Sequence, residues 1–366
     1  SVAGINTGIN DVALSGSTVT LTANITTAGD SDDTGGDGTD GAVIITGAAL
    51  IEPASGVTID TSSSDGSVSF SSTVNSDANK TLTISSGGGA VDFAGVIGGV
   101  AGDHLTGLSI NAQGSSTGTG TIDILQIGDT TGTEYGVEGT VTIGNTNTAD
   151  VTFDGAEYVV DGALTVTSAS GEKILFTGAN ATTVQTNQDA IQFNTGTIQL
   201  AASTPLTINS VGGAITVKSV MSAGTTADND VTINANSDAL GGGANDGDAT
   251  IDTETISIGA VGAVSDIGKL KLDAADGVTL TGNITLANAA DADLDVNSKA
   301  FISGDVTITT DTSGTDGTID FASTIDGVSA VSYTHLRAHE TPEHRVCRRV
   351  RAKKKWGGGG GGGGGG

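Results

Sequence analysis

The feature that most constrains this chain is a period of two. Short apolar–polar–apolar triplets recur through the first 330 residues. Examples are Leu82-Thr83-Ile84, Val91-Asp92-Phe93, Leu108-Ser109-Ile110, Val141-Thr142-Ile143, Leu164-Thr165-Val166, Leu206-Thr207-Ile208, Val306-Thr307-Ile308 and Ile319-Asp320-Phe321. In a strand, successive side chains point to opposite faces. Val, Ile, Leu and Phe of these triplets are therefore expected inside, with Thr83, Thr142, Thr165 and Thr307 outside. β-Branched residues on both faces suit a pleated backbone. Clusters of Gly, Asn, Asp and Ser separate the triplets and favour tight turns with positive φ. The nearest approach to helical periodicity, 286–295, reads as a loop or irregular strand. The expected fold class is all-β.

A longer self-similarity overlies the short period. VTLTANIT at 19–26 returns as VTLTGNIT at 278–285. VTIDTSSSDGSVSFSSTVN at 57–75 returns as ITTDTSGTDGTIDFASTID at 308–326, with nine of 19 positions identical. The chain thus holds a little more than one long repeat of about 250 residues. We expect it to be a fragment of a longer repetitive protein.

Many short strands joined by turns can build a string of sandwiches or a solenoid. Sandwich domains centre on a Trp or a tyrosine corner. Residues 1–330 contain no Trp, and Tyr only at 135 and 158. Large aromatics are expected to fit poorly in a narrow solenoid interior, whereas Val, Ile, Leu and Ala stack well from turn to turn. The expected architecture is a right-handed parallel β-helix (β-solenoid) with about 20–25 residues per turn.

Charge narrows the function classes. The whole chain carries 42 acidic and 14 basic residues, net −28. Residues 1–330 alone have 40 acidic residues, six Lys and no Arg, net −34. Such a body repels a nucleic-acid backbone, so no nucleic-acid partner is expected. It has no cysteine for a disulfide framework. No apolar run approaches the length of a membrane span.

Residues 331–366 differ from the rest. They hold every Arg, the only Cys and Trp, and a final run of ten Gly. VSYTHLRAHETPEHRVCRRVRAKKKW followed by glycines resembles the translation of a sequencing-library adapter. The resemblance implies a non-biological tail, expected to be disordered. Within it, His335 and His339 at i, i+4 look like a metal pair. However, Glu343 stands where H-E-x-x-H requires its second His, and Pro342 interrupts the helix.

TLTISSGGGAVDFAGVIGG at 81–99, LTGLSINA at 105–112 and GTIDFASTIDG at 317–327 resemble the repeats of giant bacterial surface proteins of the filamentous-haemagglutinin-like, autotransported adhesin type. The resemblance covers most of 1–330. It implies an extracellular, cell-surface location, a β-helical shaft, a structural or adhesive role without catalysis, and a cell-surface, extracellular-matrix or glycan ligand. The alternatives are a β-helical carbohydrate-active enzyme fragment and a calcium-stabilised repeat module of a secreted protein.

Few constellations could carry chemistry. His104 is the one His before the tail and reads as a turn residue, which leaves no Ser–His–Asp set. Lys269 and Lys271 alternate with Leu270 and Leu272 and read as the solvated face of one strand. Calcium is the expected cofactor if there is one. Asp30, Asp32 and Asp33 precede Asp37 and Asp40, and the latter two lie in a stretch that fits one copy of the G-G-x-G-x-D-x-U-x frame. Loops around Asp246 and Asp248, and around Asp291, Asp293 and Asp295, are similarly acidic. Hard oxygen ligands on Gly-rich turns suit Ca²⁺. Residues 1–330 should therefore melt higher in millimolar Ca²⁺ than in chelator, and by more than in Mg²⁺ or NaCl of equal ionic strength. Replacing Asp37 and Asp40 with Asn should remove part of that gain. Equal shifts with all three salts would reduce the effect to screening.

Overall fold

The computed structural model describes residues 1–328 apart from 3, 8–9, 28–40, 78–79, 100–102, 113–118, 129–134, 179–180, 188, 202, 224–228, 236–253, 264–266, 288–291 and 311–316. Compactness divides the chain into Ser1–Ser329 and Ala330–Gly366. The tail expected to be non-biological lies outside the described residues.

The described elements are all β-strands, and every ladder between them is parallel. They stack as a parallel β-solenoid. Each turn of chain supplies three short faces in order, as in Val141–Ile143, Val151–Phe153 and Glu157–Val160. The next turn repeats them as Leu164–Thr167, Lys173–Phe176 and Thr182–Thr186, and each pairs with its counterpart. Val141 pairs with Leu164, 23 positions on, and Leu164 with Ile191, 27 on. Elsewhere the step is longer: Leu108 pairs with Val141, and Ile215 with Ile256. Turns thus absorb insertions while the strand register is kept.

The alternation sets what is buried. Leu82, Ile84, Val91, Phe93, Leu108, Ile110, Val141, Ile143, Leu164, Val166, Leu206 and Ile208 are all core residues, as the triplets predict. Thr83 and Thr165 are half-buried, and Thr142 and Thr307 exposed. The pattern weakens at the last described turn, where Val306, Ile308 and Phe321 are only half-buried and Ile319 is 47 % exposed. No described strand stacks on the far side of Ile319–Phe321, so half of its apolar contact is missing.

Aromatic residues correct the expectation that a narrow interior would exclude them. Phe70, Phe93, Phe153, Phe176, Phe193 and Tyr158 are the largest fully buried side chains. The ladder itself explains this. Strand spacing of ~4.8 Å lies within the range of favourable ring separations. Phe70 and Phe93 are register partners and stack with centroids 4.8 Å apart and planes 4° from parallel. Phe153 and Phe176 repeat the arrangement at 5.0 Å, and Tyr158 meets Phe153 edge-on at 4.7 Å. The Tyr158 hydroxyl accepts the Gly155 amide (2.7 Å) and lies 2.9 Å from the Leu125 carbonyl, so its one polar atom is satisfied inside. Burial raises its pKa far above that of an ordinary tyrosine.

Polar side chains line the inner corners, where turning backbone would otherwise leave carbonyls unpaired. Ser86 donates to the Gly89 carbonyl, Thr148 to that of Ala112, and Ser210 to that of Asp189. At the corner after Val91–Ile97, Gly98 takes φ +66, and a Cβ there would sit 2.0 Å from the Gly136 carbonyl oxygen. Only glycine fits such an approach.

The long sequence repeat falls on shifted faces. Val57–Asp60, Val68–Phe70 and Val74–Ser76 occupy the first, second and third faces. Their counterparts Ile308–Thr309, Ile319–Phe321 and Ile325–Gly327 occupy the second, third and first. The strands of 19–26 and 278–285 show the same one-face shift. The repeat is therefore not a whole number of turns. Because contacts run between neighbouring turns, a core deletion should act locally. Phe153→Ala should lose about 3–5 kcal/mol of unfolding free energy, while Thr165→Ala on an outer surface should lie within about 0.5 kcal/mol of the parent. Urea melts of the two variants provide the comparison.

Candidate functional site

The expected calcium ligands Asp30, Asp32, Asp33, Asp37 and Asp40 lie outside the described residues, as do Asp246, Asp248 and Asp291. Among the described residues, no group of three or more His, Cys, Asp or Glu side chains is placed to hold a metal ion.

Asp293 and Asp295 are described, and the structure gives both a partner. Lys269 Nζ lies 2.8 Å from Asp295 and 3.6 Å from Asp293. The other Asp293 oxygen accepts the Thr318 amide at 2.7 Å and its hydroxyl at 2.6 Å. The Asp295 hydrogen bond leads in raising the Lys269 pKa. The Thr318 hydroxyl leads in lowering that of Asp293. This cluster is thus a clasp across three turns. Lys271 is exposed between buried Leu270 and Leu272, as its alternation predicts, but Lys269 is engaged rather than simply solvated.

The Asp293–Thr318 contact belongs to a series that the sequence reading missed. Where Asp or Asn directly precedes a strand that opens on Val, Ile or Leu, its side-chain oxygen accepts the amide of the matching residue one turn on. Asp11 takes the amide of Ala42 (3.0 Å), Asn24 that of Thr58 (2.9 Å) and Asp150 that of Lys173 (2.8 Å). Asp230 takes that of Lys269 (2.8 Å) and Asn283 that of Thr307 (2.8 Å). Each bracket extends a parallel ladder by one bond beyond the strand. The signal was available as Asp or Asn immediately before Val, Ile or Leu, and it gives part of the acid content a structural role.

Elsewhere the ladder forces like charges together. Asp92 and Asp123 are register partners, and Asp154 follows one turn later. Burial, then Asp123 and Asp154, hold the Asp92 carboxyl above the usual range. His104 is buried in the segment just before Leu105–Asn111, and its carbonyl accepts the Ser76 hydroxyl.

A groove of about 520 Å³ opens at the corner between the first and second faces, lined by Asn194, Thr216, Lys218, Ser257 and Thr281 among others. Its lining includes one amine and no carboxylate. Gly259 forms part of it, and a Cβ there would sit 1.9 Å from the Lys218 carbonyl oxygen. At its edge Thr195, a β-branched residue, is held at φ +67. Such a conformation is costly and tends to collect at ligand sites.

No protein-family model matches the chain, and neither does any curated protein or solved structure.

The Asp92 array yields a pH prediction. A carboxyl whose folded pKa is raised contributes stability that is fully present below its unfolded pKa and is lost as pH rises through the folded value. Asp92→Asn should therefore melt higher than the parent at pH 7, and the difference should close below about pH 4. A difference that is largest in acid would contradict the repulsion.

Proposed function

We propose that residues 1–330 are a shaft segment of a large extracellular bacterial surface protein, structural and adhesive, without catalysis of its own. The observation that carries this reading is the unbroken succession of three-faced turns. In such a stack each turn contacts its neighbours and stability accumulates along the axis, which suits a spacer that projects a surface away from a cell. The acidic exterior keeps such segments apart in solution. The resemblance of 81–99, 105–112 and 317–327 to adhesin repeats points the same way. In the alternative, a β-helical carbohydrate-active enzyme, paired carboxylates would flank a bound sugar. The corner groove instead offers an amine, hydroxyls and amides.

Antibodies against residues 1–330 should label intact, unpermeabilised cells of the source organism. Labelling only after permeabilisation would overturn the extracellular reading.

A further inference from the structure

The acid of this chain is unevenly distributed over the three faces. Eight successive strands of the first face are Lys80–Ser85, Leu105–Asn111, Val141–Ile143, Leu164–Thr167, Ile191–Asn194, the first half of Ile215–Ser222, the first half of Thr255–Val261, and Gly277–Leu280. None of these eight contains Asp or Glu, in a chain with 42 such residues, and the first-face acids Asp60 and Asp326 lie beyond the two ends of the run. Asp92 and Asp123 lie on the second face, and Glu157, Asp273, Asp295 and Asp320 on the third.

What replaces the acid is an ordered set of hydroxyls and amides. Thr83, Ser109, Thr142, Thr165, Gln192 and Thr216 are register partners level by level. Ser257 and Thr279 continue the row. A second row, two residues along each strand, includes Ser85, Asn111, Thr167 and Asn194, with Lys218 beside the groove. Strand spacing fixes the levels ~4.8 Å apart and the two rows ~7 Å apart. Over these eight strands the first face is therefore a regular grid of hydroxyls and amides without a carboxylate, its charged members being Lys80 and Lys218.

We infer that this face binds an uncharged polysaccharide lying along the stacking axis, with the groove around Asn194, Lys218 and Thr281 seating one sugar. The inference deepens the adhesive reading and rests on it. An anionic polymer would meet the net negative field of the chain with a single groove amine to oppose it. A cationic partner would be drawn to the carboxylates elsewhere on the stack, Asp92 and Asp123 on the second face and Glu157, Asp273, Asp295 and Asp320 on the third. A neutral, hydroxyl-rich chain has no charge reason to avoid the first face. There it finds partners that both donate and accept, repeated along the direction in which it extends.

The test is co-sedimentation of the full chain with microcrystalline cellulose, chitin and insoluble starch, with polygalacturonate-coated beads as the anionic comparison. Retention on at least one neutral polymer, little changed by salt, is expected. The pairs Thr142→Glu/Thr165→Glu and Thr142→Val/Thr165→Val should each lower the bound fraction at least tenfold. The Val pair keeps strand propensity, so its loss reads the hydroxyls rather than the fold, and unchanged melting would verify this. Thr152→Glu, on the second face, should bind like the parent. Retention on no neutral polymer would overturn the proposal, as would binding at the parent's level by both pairs. Preferential capture on polygalacturonate that Lys218→Ala abolishes would make the groove an anion site instead. Adsorption to growing ice without polymer binding would assign the grid to an ordered water lattice. Intact-cell labelling is independent of all these arms, so the face assignment can fail while the extracellular reading stands.

Discussion

The hydrogen-bonded parallel ladder is the constraint on which everything else depends. Val141 donates to Ala163, Leu164 to Ala190 and Ile191 to Ala214, at 2.8–3.0 Å. Strand direction and spacing are thereby fixed together, so every side chain has its counterpart of the next turn directly above it. Inside, that superposition stacks Phe70 on Phe93 and Phe153 on Phe176. Outside, it aligns Thr142 with Thr165 and brings Asp92 against Asp123. A residue suited to its own strand is thus judged mainly by what stands one turn away. Favourable and unfavourable pairs are both repeated along the stack.

Charge is organised by the same rule. A residue just before a strand faces the amide of the next turn, and Asp or Asn there completes the ladder, as Asp150 does for Lys173. Outward positions in mid-strand have no such compensation, and Asp92 is perturbed accordingly. Lys269 resolves one such crowd by sitting between Asp293 and Asp295. The acid-free run of the first face, from Lys80–Ser85 to Gly277–Leu280, stands apart from this scheme, and its lack of carboxylates gives it a distinct chemistry on a chain of net −28.

Much of the interior was legible because a period of two has one physical consequence, the alternation of burial. Leu82 and Ile84 inside with Thr83 between them needed no tertiary information. Aromatic placement was not legible in this way, since the room for Phe176 depends on Phe153 lying flat below it. Ile319 reads as a core residue and is partly exposed because no described strand lies beyond it. On the candidate site, Lys269 was read as merely solvated because its partners lie one turn away in Asp293 and Asp295.

The sequence by itself determined the strand character, the inward residues and the existence of a long repeat. It could not determine which face any copy occupies. VTIDTSSSDGSVSF starts on the first face and its counterpart ITTDTSGTDGTIDF on the second. The reason is that all three faces ask the same thing of a strand: an apolar side chain in, a polar one out, and a turn after a few residues. Face identity depends on the summed length of every intervening turn, and only the closed stack fixes that. It is also why the neutral grid from Thr83 to Thr279 is invisible as a motif: its members are scattered singly along the chain and meet only when the turns are laid one on another.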